Sequence, residues 1–229
     1  MSAMKPLKHD KIDLSAIRFS PVEKTKRGGK IVFLGMGDAK TPLCVETPPM
    51  TMPFGVSSYE DVPGGPVQSY SLDLSFKGAD TDPVIGGFLK FVRGLDELLL
   101  ETATKNSVEW FGEQKSRDVI GEFCRKLVNE KNPQYAPTLK VKVYANEGEP
   151  RALFWDQRRA PTTMESFCKG ATVKLICVVS SVWFVNKTFG VSFRLEQAQL
   201  VSVPARLQEY AFADDDPAPD ADAVVADEM

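Results

Sequence analysis

The sequence predicts a mainly β domain with a helical insertion, and three observations carry that expectation. Short runs of Val, Ile, Leu and Phe alternate with polar residues at a period of two along most of the chain. One central stretch, residues 82–127, shifts to helical spacing. Strands and helices do not alternate as they do around a parallel sheet. At 229 residues, with 43% hydrophobic and 26% charged content, the chain fits one hydrophobic core with tails.

Residues 1–15 carry Lys5, Lys8, His9 and Lys11 without a hydrophobic period and are expected to form a flexible basic arm. Lys30–Met36 and Pro42–Glu46 are short apolar runs separated by a polar loop with Gly37, and are expected to pair as a hairpin. Thr47–Pro66, dense in Pro and Gly, is a long connection of a kind more often functional than accidental. Val67–Phe76 alternates cleanly, with Tyr70, Leu72, Leu74 and Phe76 on one face and Ser69, Ser71, Asp73 and Ser75 on the other.

Asp82 and Pro83 then read as N-cap and first helical residue. Ile85, Phe88, Leu89, Val92, Leu95 and Leu99 keep helical spacing, with Lys90, Arg93, Glu97 and Glu101 opposite. A second helix is expected from Ser116, with Ile120, Phe123, Cys124 and Leu127 inward. After it, Leu139, Val141 and Val143 alternate with Lys140, Lys142 and Tyr144, and Arg151–Arg159 is another short run opening onto a loop. The two longest strand-like segments, Ala171–Phe184 and Thr188–Val203, meet at Asn186-Lys187, a tight hairpin turn. The packing this order favours is a small antiparallel barrel over residues 16–212 with helices between its third and fourth core strands, which is the OB-fold plan.

The net charge of −3 conceals a division. Residues 213–229 hold seven of the 31 acids (Asp214, Asp215, Asp216, Asp220, Asp222, Asp227 and Glu228) and no Lys or Arg, so residues 1–212 carry 28 bases against 24 acids, a net of +4. A tail rich in Ala, Asp and Pro buries too little apolar surface to offset its ordering entropy, and disorder is expected. Such a tail serves either as a solubility appendage or as an internal competitor for a polyanion that the basic body binds. No apolar run near the N-terminus resembles a signal peptide, and no segment approaches the ~20 apolar residues that span a bilayer, so a soluble intracellular protein without membrane contact is expected.

Catalytic machinery is sparse. His9, the sole histidine, lies in the basic arm, away from any scaffold that would build a Ser-His or Cys-His pair. "GMGD" and "PGGP" lack the Lys and following helix of a phosphate cradle. Cys44, Cys124, Cys168 and Cys177 are far apart without a CxxC pair, so neither zinc nor a disulfide framework is implied. No enzyme activity, metal or cofactor is expected.

What remains is a combination of cations and aromatic rings on the later strands. Unpaired nucleic acid presents phosphates and exposed flat bases, and a protein that holds it without reading sequence needs cations for the former and ring faces for the latter. Phe189, Val191, Phe193 and Leu195 share one parity, which turns Arg194 outward beside the small Gly190 and Ser192. Trp183 and Phe184 have opposite parities and cannot both point inward without a bulge. One of that pair, together with Phe189 near the turn, is expected at the surface. Lys140, Lys142, Tyr144, Lys174, Lys187 and Arg194 add a cationic face, which Arg158 and Arg159 either extend or leave as a soluble loop.

The "TPPMTMPFGVSSY" segment, the alternating "YSLDLSF" strand, the helical insertion and the closing "GATVKLICVVSSVWFVNKTFGVSFRLEQAQLV" before an acidic tail together resemble the phage-type replicative single-stranded-DNA-binding proteins, especially their relatives in large DNA viruses of eukaryotes. The resemblance spans about Ser20 to Val203. It implies an OB-fold protein that coats single-stranded DNA in replication, recombination and repair, often as a homodimer, at the site of DNA replication in a nucleus or viral replication compartment. It further implies recruitment of a polymerase or helicase through the acidic C-terminus. By position, Trp183, Phe189 and Arg194 would line the DNA groove, with Phe54 and Tyr59 near it. Two other readings stay open: an RNA-binding OB-fold protein, and a structural or scaffold protein that binds protein through Thr47–Pro66.

Overall fold

The computed structural model describes residues 5–26 and 28–205. In chain order the elements that build the site are β1 (Lys30–Met36), β2 (Leu43–Glu46), β3 (Met50–Thr51), β4 (Ser57–Glu60) and β5 (Val67–Ser75), then α1 (Pro83–Lys105), α2 (Ser107–Phe111) and α3 (Arg117–Phe123). They are followed by β6 (Cys124–Arg125), β7 (Thr138–Asn146), β8 (Leu153–Trp155), β9 (Thr172–Val179), β10 (Ser181–Val185), β11 (Thr188–Val191) and β12 (Phe193–Ser202). The tail 213–229, with Asp214, Asp215, Asp216, Asp220, Asp222, Asp227 and Glu228, lies outside the described residues.

The fold is mainly β, and its larger sheet pairs in a ring. β2 and β3 run along β9 as one antiparallel line, interrupted where the Thr47 hydroxyl accepts the Leu175 N–H. β3 passes to β5, and β5 pairs antiparallel with β7. β7 pairs parallel with β12, and β12 returns antiparallel to β9. The alternation read from the sequence becomes inside and outside here: Leu72, Leu74, Leu139, Val141, Val143, Phe193 and Leu195 are buried in the core, whereas Lys140, Lys142 and Tyr144 are exposed. α1 starts where expected, with the Asp82 carboxylate accepting the N–H groups of Val84 and Ile85 ahead of Pro83. It buries Phe88, Phe91, Val92, Leu95 and Leu99, each contributing about 1.5–3 kcal/mol.

A second sheet runs in the order Ile17–Phe19, β1, β10, β11, β6. It exists because the final hairpin bends. The two long segments that look continuous in sequence break at Ser180 and Ser192, so β9 and β12 belong to the ring while β10 and β11 leave it. Asn186, at φ 54°, makes the expected tight turn between them.

Four expectations need correction. Lys30–Met36 does not form a hairpin with Pro42–Glu46, because β1 pairs with β10 and β2 with β9. Asp38 accepts the N–H groups of Lys40 and Thr41, and the resulting loop presses so closely on Gly35 that a Cβ there would lie 2.1 Å from the Thr41 carbonyl oxygen. With β1 in the second sheet, the helices fall between the second and third strands of the ring, not the third and fourth. The second helix ends at Phe123 rather than reaching Leu127, since Cys124–Arg125 pairs with Phe189–Gly190. From Leu7 onward the basic arm is held to the body: Leu7–Lys8 pairs with β2, and the His9 ring lies 5.6 Å from that of Phe88. Partial burial there lowers the His9 pKa.

Candidate nucleic-acid interface

The outer face of the ring is set by register. Across β4, β5 and β7, Tyr59 stands opposite Ser69 and Ser69 opposite Tyr144; one row on, Ser71 stands opposite Lys142, and then Asp73 opposite Lys140. Small serines between the long side chains keep this face open. The second sheet supplies the facing wall. Trp183 on β10 lies opposite Gly190 on β11, which in turn lies opposite Arg125 on β6. A Cβ at Gly190 would come within 2.8 Å of the Trp183 ring and 3.1 Å of the Arg125 carbonyl oxygen, so only glycine lets the indole lie this close to the backbone. The indole N–H donates to the Ser192 hydroxyl at 3.0 Å, which fixes the ring's orientation.

Between these walls is a groove of about 380 Å³ whose lining includes Tyr59, Trp183, Arg125, Lys126, Lys140 and Lys142. Among the described residues none that lines it is acidic. Asp73 stands just outside, 3.9 Å from Lys140; the pair is too exposed on the lysine side to hold that cation firmly. Burial raises the Asp73 carboxyl pKa, with Lys140 opposing the rise. Lys142 Nζ lies 5.3 Å from the centre of the Tyr144 ring, a cation–π distance. Asp96 on α1 anchors the Arg125–Lys126 segment, its carboxylate accepting the Leu127 N–H at 2.9 and 3.1 Å. Partial burial pushes the Asp96 pKa up to about 6. Chemically the groove offers four cations to phosphates and two ring faces to flat groups.

Of the residues singled out in sequence, Tyr59, Lys140, Lys142 and Trp183 come together in the groove. Tyr144 adjoins it through Lys142. Arg194 faces Lys142 in register but is drawn to Glu196 at 2.7 Å, and with Tyr144 and Arg151 it lines a smaller depression. Phe189 is a correction: it is fully buried, its ring 6.2 Å from Trp110 and 5.2 Å from Phe111. Phe184 goes with it, 5.6 Å from Trp110 in an edge contact. The cause is α2, which lays Trp110 and Phe111 over that face of the hairpin and leaves only the Trp183 face open.

Lys174 pairs with Glu46 at 2.7 Å away from the groove. Lys187 is exposed at the hairpin tip, Arg158 in a loop, and Phe54 beyond β3, none of them lining the groove. Sequence reasoning missed Arg125 and Lys126, whose positions were read as the end of a helix.

The sequence matches no curated protein. Its likeness to solved structures is loose. The single-stranded DNA binding protein gp2.5 of bacteriophage T7 is 13% identical with a TM-score of 0.46, over 74% of this chain and 97% of that one. The single-stranded DNA-binding protein of bacteriophage Enc34 is 11% identical with a TM-score of 0.42, over 86% and 96% respectively. The same phage protein in complex with ssDNA gives 13% and 0.40, over 86% and 99%. Residues 86–214, more than half of the chain, match a family described as one of unknown function, DUF5871, and the chain belongs to that family.

Proposed function

We propose that this protein binds single-stranded DNA without catalysis, its bases stacking on Tyr59 and Trp183 and its phosphates following Arg125, Lys126, Lys140 and Lys142. The groove carries this reading: rings and cations from four separate strand segments converge there, and among the described residues no acid joins them. The strand pairings support an OB-fold barrel, with parallel pairing between its third and fifth strands (β7 and β12). In such a barrel oligonucleotides lie on the second and third strands between the first and fourth loops. Here those are β5 and β7, flanked by the loop bearing Tyr59 and the β10–β11 hairpin bearing Trp183. Tyr59 belongs to the Thr47–Pro66 connection, which favours a nucleic-acid role for that loop over protein docking.

The protein acts as a coat on single-stranded DNA in replication, recombination and repair, at the site of replication and as a homodimer. Its acidic tail, Asp214 to Glu228, competes with DNA for the cationic groove and recruits a polymerase or helicase. Fluorescence titration with oligo(dT) at several salt concentrations tests the groove. Four phosphate contacts predict a slope of about −3 in log affinity against log salt, and absent or salt-independent binding overturns the reading. Competition by a matched RNA strand that equals DNA would shift it to RNA binding. Unchanged affinity after removal of residues 214–229 would reduce the tail to a solubility device.

A further inference from the structure

The outer face of the ring does not end at the groove. Lys142 stands opposite Arg194 on β12, and a register shift where β9 passes from Ile176 to Cys177 lets both Glu196 and Gln197 face outward. Farther along, Gln199 stands between Lys174 on β9 and Trp155 on β8. Trp155 is half-buried, and its indole N–H donates to Gln197 Oε1 at 3.2 Å. With Ile176, Gln199 and Arg159 it lines a second cavity of about 380 Å³, a size typical of small-molecule sites.

This cavity has a constructed rim. Asp156 Oδ1 accepts the N–H groups of Arg158 and Ala160, both at 2.8 Å, and the Asp156 N–H donates to the Ala160 carbonyl at 2.9 Å. Trp155 bridges to Pro161 just beyond. The tight loop holds Arg159 at φ 65°, a left-handed conformation that a non-glycine side chain adopts only where its surroundings impose it. Of the carboxylates here, Glu46 lines the cavity and is matched by Lys174, Glu196 lies outside it and is matched by Arg194, each at 2.7 Å, and Asp156 is engaged by the N–H groups of its own loop. An indole, an isoleucine, glutamine amides at the edge and a guanidinium at the rim make a slot for a flat heteroaromatic group with an anion beside it.

We propose that this slot takes a further nucleobase of the same DNA strand whose first bases lie in the Tyr59–Trp183 groove; the inference therefore rests on that groove. The strand crosses by way of Tyr144, Arg151 and Arg194, which line a depression of about 160 Å³ between the two cavities. From Lys142 to Gln199 the strand and residue spacings give roughly 17 Å, a reach of a few nucleotides.

The test compares oligo(dT) of about 6 and about 16 nucleotides, the range held by single OB units, on the full chain by fluorescence anisotropy. Trp155→Leu is expected to weaken the longer oligonucleotide roughly tenfold and the shorter less than about twofold. Arg159→Asn, which tolerates the left-handed backbone and leaves the core untouched, is expected to reduce the salt slope by about 0.7 for the longer oligonucleotide alone. Unchanged binding of the longer oligonucleotide by Arg159→Asn and by folded Trp155→Leu, or equal weakening of both lengths, overturns the second slot and leaves the groove standing. Absence of binding by the unaltered protein removes the groove and the slot together.

Discussion

The two faces of the β10–β11 hairpin differ in what covers them. One carries Val182, Phe184 and Phe189, and its two Phe rings are closed over by Trp110 and Phe111 of α2. The other carries Trp183, Gly190 and Ser192 and faces the groove. Alternation sorts the side chains into two sets, but a distant helix of five residues decides which set becomes core. A ring is a binding platform only if no other part of the chain claims it.

The sharpest way to break this contrast is to cut into the closed face. Phe189→Ala is expected to cost ~3–5 kcal/mol in urea unfolding, while whatever fraction remains folded keeps its affinity for oligo(dT). A loss of affinity without loss of stability would mean that Phe189 contacts DNA after all.

Next in size is Asp96, which anchors the segment leading from the closed face to Arg125 and Lys126. Its folded pKa of about 6 lies above the ordinary aspartate value of 3.8, so the fold favours the protonated form. That stabilisation is complete below about pH 4 and is lost as the pH rises through 6, a change of up to about 3 kcal/mol. Asp96→Asn is expected to flatten the stability profile between pH 4 and 7, measured by chemical denaturation at each pH. An unchanged slope would show that Asp96 titrates normally.

On the open face, Trp183→Leu is expected to weaken oligo(dT) binding by ~1–3 kcal/mol and to shift the urea midpoint little, since the indole covers backbone rather than core. The smallest effect is that of Lys142→Gln, which should lower the salt slope by about 0.7. Retained affinity in Trp183→Leu, or a full slope in Lys142→Gln, would separate the groove from DNA binding.

Much of this was legible in sequence. Val67–Ser75 and Thr138–Asn146 declare their faces by strict alternation, and Asp82-Pro83 marks the start of α1. Tyr59, Lys140, Lys142 and Trp183 stand out in the sequence as candidates, and the fold brings them into one groove. The remainder depends on contacts between distant segments. α2 is too short to show a period, so its claim on Phe184 and Phe189 left no local trace. Arg125 and Lys126 follow α3 without a turn residue, and only pairing with β11 draws Cys124–Arg125 out of the helix. Ser180 and Ser192, where the last hairpin changes sheets, look like ordinary polar positions within longer strands.

The margins of both sheets are short: Leu7–Lys8, Ser57–Glu60 and Leu153–Trp155 edge the larger, and Ile17–Phe19 and Cys124–Arg125 the smaller. Stretches of two to four residues offer little template for another chain's backbone. Among the described residues, adjacent copies arrayed along a polynucleotide would therefore gain little by extending a shared sheet. Cooperativity between neighbours would then run mainly through side chains or the nucleic acid itself.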